Sequence, residues 1–172
     1  MLLSSDHSSD VLAFLDGEAA SLPDSLTAQS ASPPLTSPKD SVNVFVINER
    51  GEALVLEDLS ASCSWSSWQV VGCYLPEGED PIAAVQALLH QQVGCIARQW
   101  RYLGTFTPED SDIVGANHFF FAREVQVIAQ SQSGETAVRW VSTEQIRQAL
   151  LDGRIGQINH ATAAALALLH CG

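Results

Sequence analysis

The chain has 172 residues, 46% of them hydrophobic and 16% charged, which is enough for one globular domain with a sizeable core and too little for two full domains. Twenty acidic side chains against eight basic ones give a formal net charge of −12. This charge argues against nucleic acid as a partner, because the phosphate backbone would be repelled. The scattered basic residues form no stripe for a membrane surface. The expected partners are therefore a small molecule or another protein.

Hydropathy and cysteine spacing indicate the cellular compartment in which the protein is expected. No apolar run approaches the roughly eighteen residues that span a bilayer, and the first residues carry acid where a targeting segment carries Arg or Lys. The four cysteines, Cys63, Cys73, Cys95 and Cys171, show no CxxC spacing. We therefore expect a cytoplasmic protein with free thiols.

Residues 1–40 differ from the rest, since they are rich in Ser and Pro. This composition predicts a flexible N-terminal tail, followed by one domain over residues 41–172. Within the tail, Val11, Leu12, Phe14 and Leu15 follow Ser8-Ser9-Asp10 and predict a short amphipathic helix. That helix packs on the chain's own surface or contacts a partner protein.

Alternating apolar residues predict strands at the start of the domain. Strands at residues 42–46 and 53–56, joined by the turn Asn48-Glu-Arg-Gly51, predict a β-hairpin. Residues 65–71 form a third predicted strand, and Pro and Gly mark residues 74–79 as a loop.

A helix follows the loop, with Asp80 as its N-cap, Pro81 at its first position and Gly94 as its C-cap. The remaining pattern predicts further elements in chain order. These are strands at 101–106, 118–127 and 136–141, a helix at 143–151, and a last Ala/Leu-rich helix to about residue 169. The order of elements indicates a mixed α+β architecture with one loop–helix unit inside a sheet.

The loop and helix over residues 72–95, which contain Gly78-Glu79 and Gly94, resemble the Nudix box. The pattern of that box is Gly, five residues, Glu, seven residues, Arg-Glu-aliphatic, one residue, Glu-Glu, one residue, Gly-aliphatic. Downstream, Tyr102-Leu-Gly-Thr-Phe-Thr-Pro108, His118-Phe-Phe-Phe-Ala122 and Ala137-Val-Arg-Trp-Val141 are similar to the ADP-ribose pyrophosphatase branch of that family. The resemblance covers about residues 42–169 and implies an α/β/α sandwich around a mixed β-sheet.

The same resemblance places unexpected residues at the box positions. Cys73 stands at the first Gly, Ala87 at the Arg, Leu88 at the first Glu of the helix, and Gln91 and Gln92 at the Glu pair. In an active box those carboxylates share one helix face and hold Mg²⁺ against a pyrophosphate. A Leu offers no ligand atom and a Gln carbonyl is neutral, so Glu79 alone remains as a weak metal ligand.

Two functional hypotheses follow. The first is a Nudix-fold pseudoenzyme that needs no cofactor and binds a nucleotide-type ligand or a protein as a regulatory module. The alternative is a divergent Mg²⁺- or Mn²⁺-dependent hydrolase of a nucleoside diphosphate linked to another moiety, with Glu79 and Glu135 as its catalytic residues. Asp110 and Asp112 are further candidate carboxylates. Each acid also has a structural interpretation, Glu79 as a favourable charge at a helix N-terminus and Glu135 as a solvated turn residue.

Aromatic side chains supply candidate stacking surfaces for a ligand. We expect Trp65, Trp68, Tyr74 and Phe106 to contact a base or ribose. Trp65 and Trp68 lie three residues apart, so they cannot both point inward from one regular strand.

Overall fold

The structure is a computed structural model that describes residues 39–59, 67–108, 114–129 and 136–171. Several predictions lie outside these ranges, namely the tail helix at Val11–Leu15, the stacking residue Trp65, the acids at 109–112 and Glu135. The tail itself lies outside them too, except that Lys39 and Asp40 already belong to the first strand.

The described ranges contain seven strands and three α-helices. The strands are β1 (Lys39–Val46), β2 (Glu52–Asp58), β3 (Trp68–Gln69), β4 (Val71–Tyr74), β5 (Cys95–Phe106), β6 (Val114–Val127) and β7 (Thr136–Ser142). The helices are α1 (Pro81–Leu88), α2 (Thr143–Leu151) and α3 (Ile158–Cys171), and a π-helical turn (Leu89–Val93) continues α1.

The strands form two sheets. One has the order β4-β1-β6-β5 and the other β3-β2-β7. In the larger sheet β1 pairs antiparallel with β4 and parallel with β6, which makes the sheet mixed. The chain passes from the smaller to the larger sheet at Val70, between β3 and β4.

The predicted hairpin of the first two strands is wrong beyond its turn. The Gly51 N–H donates to the Asn48 carbonyl at 3.0 Å and Ile47 forms a single bridge with Ala53, as a hairpin requires. The strands then diverge, and β2 pairs with β3 and β7 instead. The reason is that β1 is a central strand, whose two edges are taken by β4 and β6.

Helices cover both faces of the strands. On one face Val42, Val44 and Val46 of β1 pack with Val85 of α1 and Leu89 of the π-helical turn. On the other face, residues that include Phe45 and Val55 pack with Ile146 of α2 and with three alanines of α3, Ala163, Ala164 and Ala167. The predicted α/β/α sandwich around a mixed sheet is confirmed.

The helix after the loop begins and ends close to the prediction. Pro81 is its first residue, and Asp80 holds the N-cap position with an exposed side chain that makes no capping hydrogen bond, contrary to our expectation. At the other end Gly94 adopts a left-handed conformation with φ of 69° and donates to the His90 carbonyl at 3.0 Å. The last turn is π-helical, which changes the direction of the side chains at its end.

Replacing Gly94 with Ala should destabilise the domain by about 2–4 kcal/mol, because the left-handed backbone disfavours a Cβ. That Cβ would also lie 2.3 Å from the Ala129 carbonyl oxygen. Gly51→Ala is the matched control, since Gly51 has φ of 75° with nothing within 4 Å, and it should cost only about 1 kcal/mol. Urea unfolding measures both, and equal losses would contradict the steric argument.

Candidate functional site

A cleft opens beside the π-helical turn, where the two sheets separate. It consists of two adjoining cavities of 380 and 220 Å³, which share Gln69 of β3, Gly72 of β4 and His160 of α3. We call it the amide cleft, because most of its polar side chains are carboxamides. Its polar lining residues are Ser41, Asn43, Gln69, Tyr74, Gln91, Gln92, Thr136, Gln157, Asn159 and His160, with Cys73 beside them.

The absence of a side chain at Gly72 makes room for the cleft. Gly72 lies opposite Asn43 in the β1–β4 register. A Cβ on Gly72 would lie 2.5 Å from Asn43 Oδ1 and 3.0 Å from the Val42 carbonyl oxygen. Glycine is therefore the residue that lets the Asn43 amide sit at the wall of the cleft.

A buried network of neutral side chains supports one wall. Asn117 Oδ1 accepts hydrogen bonds from Ser41 Oγ at 2.6 Å and from Asn159 Nδ2 at 2.9 Å. Its Nδ2 donates to the Phe106 carbonyl at 3.3 Å. Ser41, Asn43 and Asn117 are each at most 5% exposed, so these bonds prevent the cost of unsatisfied buried polar groups.

His160 is the buried titratable group of the cleft. Its side chain lines both cavities, is 8% exposed, and leaves Nδ1 without a hydrogen-bond partner among the described residues. Burial lowers the pKa of His160 from its ordinary value of 6.5. The imidazole is therefore neutral at pH 7 and can donate through one ring nitrogen and accept through the other.

The helix positions of the box bring amides, not acids, to the cleft. Gln91 and Gln92 line the larger cavity, whereas Leu88 packs against the hydrophobic core and Ala87 is exposed. Across the described ranges no carboxylate lines either cavity, and no cluster of three His, Cys, Asp or Glu side chains can hold a metal ion. These residues do not fit a Mg²⁺ or Mn²⁺ ion, which prefers carboxylate and water oxygens.

Glu79 is exposed in the turn before α1, where its N–H donates to the Pro76 carbonyl at 3.2 Å. The negative charge of its carboxylate affects the ionisation of Cys73, which lines the smaller cavity. Burial, and to a smaller extent the charge on Glu79, raise the pKa of the Cys73 thiol. Glu79, the acid kept at a box position, lines neither cavity of the cleft, although its charge affects Cys73.

The three described aromatic residues that were predicted to contact a ligand do not lie together in one site. Tyr74 lines the smaller cavity and is 68% exposed. Trp68 is 5% exposed within the core, and Arg154 lies over its ring at 4.8 Å from the centroid, so this ring is not open to a ligand. Phe106 is exposed, packs edge-on against Phe119 and lines neither cavity. Of these three, only Tyr74 reaches the amide cleft.

Sequence reasoning missed His160, Asn43, Asn117 and Asn159. Ser41 and Asn43 carry a signal, because they are the two polar residues among the buried positions of β1, residues 41–46. Their partner Asn117 lies 76 residues from Ser41, so no local pattern connects them.

Comparisons with known proteins agree with this architecture. The NUDIX domain family model matches residues 37–161, which is most of the chain. The chain belongs to the Nudix family.

The Nudix chain is also similar to a solved structure described as an ADP compounds hydrolase, with a TM-score of 0.62 and 13% sequence identity. The match covers 76% of this chain and 71% of the other, and it supports the fold. No curated protein sequence matches significantly. Among the described residues, no helix is long and apolar enough to cross a membrane.

Acidification should destabilise the protein through His160. Because its pKa is lowered in the folded state, the unfolded chain takes up this proton first as the pH falls below 6.5, and stability is lost. The His160→Gln variant lacks that proton, so its free energy of unfolding should fall less between about pH 7.5 and pH 5. Cys73 stays protonated over this interval because its pKa is raised. Urea unfolding at both pH values tests this, and parallel losses in the two proteins would contradict it.

Proposed function

We propose that this chain is a noncatalytic Nudix domain that binds a nucleotide-type ligand without a metal ion. The observation that supports the proposal most is the neutral lining of the amide cleft. Gln91 and Gln92 stand there at the positions of the box carboxylates.

The loss of these acids bears directly on hydrolysis. A metal ion in such a reaction polarises the phosphoryl group, neutralises developing charge and activates water, and these effects contribute several kcal/mol. An amide oxygen holds a hard dication far less well than a carboxylate does. We therefore expect turnover to be lost by orders of magnitude, although the cleft persists.

Ligand binding does not need the missing acids. The cleft keeps two connected cavities, a set of hydrogen-bonding groups, and the exposed ring of Tyr74 at its smaller cavity. Concave sites with a few fixed polar groups and an aromatic surface are typical of small-molecule binding. These features support a binding module.

Isothermal titration calorimetry with ADP-ribose tests the proposal. We expect saturable heat both with Mg²⁺ and with EDTA, with dissociation constants that agree within about threefold, because no metal takes part in binding. Chromatography of the same samples should show intact ADP-ribose. Continuous heat that appears only with Mg²⁺, together with AMP in the sample, would contradict the proposal.

The divergent hydrolase is the second candidate, and what favours it is that Glu79, the one acid kept at a box position, is exposed in the turn directly before α1. If hydrolysis occurs, Glu79→Gln should abolish it at unchanged folding stability, because Glu79 is exposed. Glu77→Gln is the matched control in the same exposed loop and should keep full turnover. Under the noncatalytic proposal neither variant changes the affinity for ADP-ribose more than about twofold.

A further inference from the structure

The described residues that line the amide cleft carry no charge of either sign at pH 7. In the described part of the chain, none of the side chains that line its two cavities is an Asp, Glu, Lys or Arg. Arg98, Arg101 and Arg123 instead line a separate cavity along β5 and β6, which shares no residue with the amide cleft. Three of the seven Arg side chains, the type that binds phosphate best in proteins, therefore line a different cavity.

A diphosphate would be poorly accommodated in such a site. Moving its negative charges out of water without a cation costs many kcal/mol in an uncharged cleft. The net charge of −12 adds a repulsive field. The lining that disfavours a metal ion thus also disfavours the phosphates that the metal would neutralise.

The cleft offers hydrogen bonds to an uncharged ligand. Gln69 and Gln91 line the cavities with side-chain amides, and His160 Nδ1 is buried without a hydrogen-bond partner among the described residues. Each amide presents donors and an acceptor, and the neutral imidazole presents one of each. A nucleobase edge and ribose hydroxyls carry the same mixture of uncharged donors and acceptors.

The ring of Tyr74 supplies a flat face beside these groups. Tyr74 lies opposite Ser41 in the β1–β4 register, lines the smaller cavity and is 68% exposed. Aromatic side chains stack on every base, because each base has a π-face. A base stacked on Tyr74 can direct its polar edge toward Gln69 and His160.

We propose that the amide cleft binds the uncharged nucleoside part of its ligand, and that any phosphates remain in solvent. The inference rests on the proposed function and specifies which part of a nucleotide the cleft recognises. It predicts that phosphate groups add nothing to affinity, which is the reverse of a metal–pyrophosphate site.

Calorimetry in EDTA tests this with adenosine, guanosine, cytidine and uridine, their 5′-diphosphates, and inorganic pyrophosphate. At least one nucleoside should bind as tightly as its diphosphate, within about threefold. Its affinity should stay constant between about 0.05 and 0.5 M NaCl, because no charge pair is formed. Pyrophosphate should give no binding heat.

Two variants locate the binding. Tyr74→Leu should weaken nucleoside binding about tenfold through lost stacking, and Gln69→Met about fivefold through a lost hydrogen bond. Tyr102→Leu is the control, because Tyr102 is an exposed aromatic residue that lines neither cavity. It should leave the affinity unchanged.

The outcomes separate this inference from the proposed function. If diphosphates bind without metal and nucleosides do not, the inference is wrong while the proposed function stands. If nucleosides bind but neither Tyr74→Leu nor Gln69→Met weakens them, the inference is also wrong, because the ligand lies outside the amide cleft. If no nucleotide, nucleoside or ADP-ribose binds, both fail.

Discussion

A single buried carboxamide, that of Asn117, joins the elements around the cleft. It accepts hydrogen bonds from Ser41 of β1 and Asn159 of α3, and it donates to the Phe106 carbonyl of β5. A buried amide must satisfy its donors and acceptors. Here the bonds to Ser41 and Asn159 hold two residues of the cleft wall, and the bond to Phe106 ties this network to β5. The bond to Asn159 anchors the first turn of α3, which carries the neighbouring His160 into the cleft. The position of the unpartnered imidazole thus depends on a network of neutral groups.

The neutrality of this network agrees with the residues of the box. A carboxylate at Gln91 or Gln92 would place an acid in the cavity that Gln69 and the buried His160 also line, in a chain that already carries a net charge of −12. Leu88 has become part of the hydrophobic packing under α1. The box helix therefore serves the core on one side and presents uncharged hydrogen-bonding groups on the other. The same fold can hold a metal ion and a diphosphate in one member of a family and an uncharged ligand in another.

Local sequence patterns predicted those elements that depend on neighbouring residues. The bounds of α2 match the prediction, because Ser142 and Gln145 form a capping box before an amphipathic segment. Gly94 was predicted as a C-cap because only Gly adopts its left-handed conformation at little cost. The pairing of β1 and β2 was mispredicted, because alternation identifies a strand without identifying its partner. Alternation also does not show which face of a strand meets the core, so it predicts a ligand contact for Trp68, whose side chain is 5% exposed in the core.

The amide cleft could not be predicted in the same way. Ser41 and Asn117 lie 76 residues apart, and Asn117 and Asn159 lie 42 apart, so their bonds depend on the assembled sheet and α3. The family pattern indicated which acids are missing, but it gave no information about the groups that surround their positions. Those groups come from several strands, from α3 and from the π-helical turn, so only the folded structure shows that they lie together.

We propose that the described residues of the amide cleft form no metal site, and electron paramagnetic resonance of Mn²⁺ tests this proposal most directly. The signal of free Mn²⁺ should stay unchanged when the full-length protein is added in excess, because the described residues of the amide cleft supply no carboxylate ligand. A stoichiometric loss of the free signal that Glu79→Gln abolishes would contradict the claim and would assign a functional metal to the Nudix box.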